Sequence, residues 1–157
     1  MLTSTILLSA VAAIAAAMPA SQPIEARAGG PVAKPIPSSC TVSSPLPTSS
    51  SATYLPDTSK TSNALVYYAY YDLPADNPEQ LYQQCLEQCY GLGVNPPCVA
   101  AYWAQQMVVP AGYYGGAGGN LDMACLMYNR TLTAADFVQA PSGQAVTPMA
   151  GDIHCPA

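Results

Sequence analysis

The sequence predicts an α+β fold: a single small disulfide-stapled domain, with one helix packed on an antiparallel sheet. Three observations carry this prediction. Six cysteines (Cys40, Cys85, Cys89, Cys98, Cys125, Cys155) follow an apolar leader, an even number that suits a disulfide framework. Two of them, Cys85 and Cys89, lie one helical turn apart on an amphipathic stretch. Short β-branched and aromatic runs lie on either side of that stretch.

The leader sets the expected compartment. Ile6 to Ala17 is an uncharged apolar run of the length of a secretory h-region, too short to span a bilayer. Ala15 and Ala17 supply a small-x-small cleavage pattern, with Ala20 as a second candidate. Residues 1–20 read as a signal peptide, although Met1 to Thr5 carries no Lys or Arg. No later stretch is long and apolar enough to anchor the chain, and Gly151 to Ala157 has no hydrophobic tail. The expected product is secreted and extracellular, with no membrane partner.

Charge narrows the partners further. The net charge is −5, and only four cations are present: Arg27, Lys34, Lys60 and Arg130. They are scattered, whereas a nucleic-acid surface needs clustered Lys and Arg to release counterions. Anionic membranes are disfavoured for the same reason. With 8% charged residues, the surface must be built largely from hydroxyls, amides and glycine.

After the leader, residues 21–62 form a Pro/Ser/Thr-rich stretch with Pro at 23, 31, 35, 37, 45, 47 and 56. Proline lacks the amide that helices and central strands need, so this reads as an extended arm tied to the body only through Cys40. The ordered domain is expected over residues 63–157. Leu65 to Asp72 reads as a strand, with tyrosines on both faces. A helix follows, with Asn77 as N-cap, Pro78 at the first position and Gln80 completing a capping box. Leu81, Cys85 and Cys89 recur on one face, joined by Tyr82 and Leu86, and Gly91 is the expected left-handed residue ending the helix. Val99 to Ala104 and Met123 to Tyr128 read as strands, with Trp103 in the core. Between them Pro110 to Asn120 is a Gly-rich loop expected to be irregular. Thr133 caps a helical turn over Ala134 to Val138, and Pro141-Ser142-Gly143 is a turn.

Geometry limits the fifteen pairings that six cysteines allow. Cys85 and Cys89 project the same way from one helix, so each must reach another element. Cys98 lies just past the helix end, where a chain reversal returns it to Cys89. Cys125, inside an apolar strand, suits Cys85 on the buried side, which leaves Cys40 with Cys155. A zinc site is not expected, since no paired C-x-x-C occurs and His154 is the only histidine.

This nested order, with Cys85-x₃-Cys89, Cys98 leading into Val99 to Tyr102, Cys125 leading into Tyr128 and Cys155 at the end, resembles the PAN/apple domain family over residues 63–157. The resemblance implies a helix on a small antiparallel sheet and a module that binds proteins or carbohydrates without catalysis. Cys40 departs from it, lying far upstream of the first strand. The layout is also similar to small secreted proteins of filamentous fungi, while the eight-cysteine patterns of hydrophobins and of haem-binding CFEM domains are not met.

No catalytic or cofactor motif occurs: neither G-x-S-x-G nor H-E-x-x-H is present, and oxidised cysteines leave no thiolate nucleophile. The carboxylates, among them Asp57, Asp72, Asp76, Glu79, Glu87, Asp122, Asp136 and Asp152, show no spacing that selects a glycosidase pair. The expectation is therefore no enzyme, no cofactor and no metal. Tyr113 and Tyr114, flanked by Gly112, Gly115 and Gly116, are the candidate ligand-binding residues. The competing reading folds both rings down as a lid on the sheet edge. Asn129-Arg130-Thr131 is the one sequon, which makes Asn129 the expected glycosylation site. The functional expectation is a secreted non-catalytic recognition module for extracellular carbohydrate or protein. The alternative is a secreted effector or structural wall component without a small-molecule ligand.

Overall fold

The computed structural model describes residues 31–48, 52–72 and 76–156. The signal peptide at residues 1–20, with its cleavage sites, and the first part of the arm lie outside the described residues. The fold is α+β, with one main helix on an antiparallel sheet. In chain order the strands are β1 (Thr41–Ser43), β2 (Tyr54–Pro56), β3 (Leu65–Tyr71), β4 (Ala100–Val108), β5 (Leu121–Tyr128), β6 (Phe137–Gln139) and β7 (Val146–His154). The helices are α1 (Thr58–Thr61) and α2 (Pro78–Gly91). Five strands form the main sheet in the order β1-β7-β4-β5-β3, and β2 pairs with β6 in a second, two-stranded sheet.

The central strands β4 and β5 are buried on both faces, which is why they read as near-continuous apolar runs rather than alternating ones. Ala101, Trp103, Met123, Cys125 and Met127 face α2 and pack with Cys85, Leu86 and Cys89. The opposite face presents Ala100, Tyr102, Ala104, Ala124, Leu126 and Tyr128 to Phe137 and Leu132. Small alanines beside large rings let the second layer approach closely. Trp103 is 2% exposed. Tyr102 donates its hydroxyl to the Tyr54 carbonyl at 2.8 Å, which satisfies the one polar atom of a buried ring and ties β2 to the core. Burial pushes its hydroxyl pKa far above the usual tyrosine value.

Helix α2 begins as its sequence dictates: the Asn77 side chain accepts the Gln80 amide at 3.2 Å, and Pro78 opens the first turn. Its end differs from expectation. Gly91 is the last helical residue, and the left-handed conformation falls on Gly93 (φ 64°). Gly91 is needed for space instead, since a Cβ there would run into the Val32 carbonyl oxygen.

The stretch before residue 63 is more than a tethered arm. β1 pairs with β7 at one sheet edge, from Thr41 opposite His154 to Ser43 opposite Asp152. α1 is capped by Asp57, whose side chain accepts the Ser59 amide at 3.0 Å. Proline density hid these elements because each fits between prolines: β1 holds none, and Pro56 ends β2. Farther along, the turn after Thr133 is shorter than expected, a 3₁₀ turn at Ala134–Asp136 that passes into β6.

Three disulfides close the frame: Cys40–Cys155, Cys85–Cys125 and Cys89–Cys98. The second joins α2 to the middle of β5 through the core, and the third returns the chain to the helix after its end. No cysteine is free. Among the described residues no helix is long and apolar enough to cross a membrane.

Candidate functional site

The sheet topology brings one end of β3, the β4–β5 connection and the start of β5 together. The connection is not irregular. Val109 donates to the Asn120 carbonyl (2.9 Å) and Gly119 to the Val109 carbonyl (2.8 Å), so the hairpin continues past its strands. Tyr113–Gly115 then form a 3₁₀ turn, closed by Gly112 donating to the Gly116 carbonyl at 2.9 Å. Gly118 is the position where glycine is required: its φ is +71°, and a Cβ would lie 2.5 Å from the Ala111 nitrogen. What the composition presented as looseness is one close backbone approach at Gly118 and a set of left-handed turns at Gly112, Gly115 and Gly119.

The two candidate tyrosines part company here. Tyr113 folds onto β3, where its hydroxyl accepts the Tyr70 amide at 3.0 Å. Its ring meets Tyr70 edge-on at 5.0 Å and Tyr68 at 5.8 Å, within the range of favourable aromatic pairs. Tyr113 is thus the lid of the competing reading. Tyr114 is the opposite case. It is 77% exposed, with its backbone held in the left-handed region (φ 47°, ψ 33°) and its ring centroid 4.6 Å from that of Tyr113. A non-glycine residue there is uncommon, and such strain is often kept where function requires it. The other described non-glycine residues with positive φ, Gln106, Ala145 and Thr147, lie where β4 and β7 meet near this same end of the sheet.

Beneath Tyr114 lies a cleft of about 370 Å³. Its apolar wall is Tyr70, Val109 and Tyr113, and its polar groups are Asp72, Asn120 and Asp122. The Asn120 amide donates to the Asp122 carboxylate at 2.9 Å and steadies it. A concave site of this size, with aromatic walls and a few convergent polar groups, is how small ligands are commonly held. Sequence reasoning found the tyrosines from their glycine neighbours and missed the carboxylates. Asp72 and Asp122 are distant in the chain and come to line one cleft only through the β3–β5 pairing.

The remaining candidates lie elsewhere. Asn129 follows β5 in a bend, half-buried, with its backbone amide on the Ala64 carbonyl at 2.9 Å. His154 Nε2 is 3.2 Å from the Ser43 hydroxyl on the exposed β1–β7 edge, where water competes for both groups. Tyr82, from α2, has its hydroxyl pKa pushed up to about 12 by burial first and the nearby Asp152 carboxylate second. Searched against known protein families, curated proteins and solved structures, the chain matches none.

Proposed function

We propose that the protein is a secreted, non-catalytic recognition module that binds extracellular carbohydrate or protein through the cleft beneath Tyr114. The observation that carries this reading is the exposed Tyr114 ring, held out by a left-handed backbone at the lip of a cleft with aromatic walls and carboxylates. Planar rings stack on the apolar faces of sugars and serve equally as anchors in protein interfaces. The disulfide frame supports an oxidising compartment, the apolar leader supports export, and the resemblance to PAN/apple modules supports recognition without catalysis.

Retention on chitin, glucan and cellulose, with a pull-down from wall extracts, tests the proposal. Tyr114→Ala is expected to weaken binding by about 1–2 kcal/mol with the melting temperature unchanged, as for an exposed aromatic anchor. Tyr113→Ala should lower the melting temperature, because a half-buried ring and an acceptor for the Tyr70 amide are lost together. Binding that survives Tyr114→Ala removes this cleft from the site.

Asn129 carries an N-glycan in this reading. Its sequon neighbour Thr131 is exposed. Material from a eukaryotic host should move faster on a gel after an N-glycan-cleaving enzyme, and an unchanged mobility would count against glycosylation.

A further inference from the structure

The cleft gathers negative charge and, among the described residues, has no basic side chain in its lining. Tyr71 pairs with Met123, so one step along the antiparallel strands Asp72 comes to the level of Asp122. Like charges at neighbouring cross-strand positions repel. The described basic side chains are placed elsewhere. Lys60 bridges Asp57, Arg130 bridges Asp136, and Lys34 packs at the end of α2 beside Gly91. A positively charged ligand entering the cleft meets both carboxylates, with no described cation competing for them.

The walls decide which cation fits. Tyrosine ring faces attract an ammonium group through the ring quadrupole, and carboxylates accept charge-assisted hydrogen bonds from it. A bare metal ion suits this site less well. Among the described residues no three His, Cys, Asp or Glu side chains come together, and a hard cation such as calcium takes about 6–8 oxygen ligands. The cleft, at about 370 Å³, is of a size that holds a small organic ligand. Its neutral wall suits a ring with an apolar face.

We infer that the ligand is an oligosaccharide with free amino groups, of the glucosamine type, with Tyr114 stacked on a sugar ring and Asp72 and Asp122 on its ammonium. This deepens the carbohydrate reading above and rests on it.

Titration calorimetry of the secreted protein with glucosamine tetramer, N-acetylglucosamine tetramer and spermidine tests the inference. The free-amine tetramer is expected to bind about tenfold or more tightly than the other two probes, a preference reduced by added salt. Asp72→Asn/Asp122→Asn should level the two tetramers and leave the melting temperature close to that of the native protein, since Asp72 is exposed and an asparagine at 122 can still accept from Asn120. Asp72→Asn alone, at an exposed position, gives the same answer if the double variant folds poorly. Equal affinity for both tetramers, or a preference that survives in the variants, overturns the inference and leaves the carbohydrate reading standing. Spermidine binding as tightly as the sugar amine overturns the sugar part. Binding of neither tetramer overturns the inference, and the carbohydrate reading then stands or falls on retention by glucan and cellulose.

Discussion

Replacing Cys85 and Cys125 together by alanine is expected to leave the protein unfolded, or secreted in only trace amounts. The bond joins residues 40 positions apart, and closing such a loop is worth about 4 kcal/mol in the chain-entropy model. Both sulfurs lie in the core beside Leu86, Trp103 and Met127, so their removal also leaves a cavity. A domain of this size is stable by only about 5–15 kcal/mol. The bond between Cys89 and Cys98 spans 9 positions, so its loop is worth nearer 2.5 kcal/mol and its loss should be better tolerated. Melting of the two double variants under non-reducing conditions checks the ranking. A Cys85/Cys125 variant that melts like the native protein would show that packing alone holds the helix to the sheet.

The second large effect is expected at Asp136. Its carboxylate accepts both Arg130 guanidinium nitrogens (2.7 and 3.0 Å), the Thr133 amide (2.8 Å) and the Thr133 hydroxyl (3.0 Å). Arg130 also donates to the Lys60 carbonyl, and Asp57 donates its amide to the Asp136 carbonyl. One carboxylate therefore fastens α1 to the turn before β6. Asp136→Asn should cost about 2–3 kcal/mol, at the low end for so many bonds because the guanidinium is 38% exposed and water screens the pair.

The Arg130 guanidinium, as principal cause, holds the Asp136 carboxyl well below the usual carboxylate range. A group whose pKa is lowered by folding contributes its full stability above the unfolded value, near 4, and loses it as pH falls further. Asp152 has the opposite sign. Burial raises its pKa, so its contribution is present below about 4 and declines as pH rises through the folded value. Urea midpoints measured across the acid range should fall more steeply for the native protein than for Asp136→Asn. Parallel acid limbs in the two proteins would discard Asp136 as the acid-sensitive group.

The helix and the central strands were legible because local pattern and tertiary role agree there. Asn77 and Pro78 mark a start that the fold uses, and β4 and β5 are apolar because both faces are covered. β7 was illegible for a physical reason. It contains Pro148 and Gly151, which interrupt a strand pattern. Pro148 lies in the half of β7 that β1 does not pair, beside the irregularity where Trp103 meets Met149 and Gln105 meets Val146. Gly151 lies under α2, where a Cβ would crowd the Tyr82 hydroxyl and the Val42 and Leu86 side chains. β1, β2 and β6 are three residues each, too short for periodicity to register. The candidate site divides the same way. Tyr114 was visible through its glycine neighbours, whereas the carboxylates become neighbours only once strand register is known.

The hydrogen bond from the Tyr70 amide to the Tyr113 hydroxyl bears on how copies of this protein meet one another. Among the described residues β3 is the outermost strand on its side of the sheet, and an open strand margin is a template on which another chain can polymerise. The phenol occupies one of the outward donors that such growth requires, and its ring adds bulk alongside. A chain dense in tyrosine carries sticky rings on its surface, and its net charge of −5 repels copies without protecting any one strand. Steric masking of that margin adds a local protection to the general one that net charge supplies.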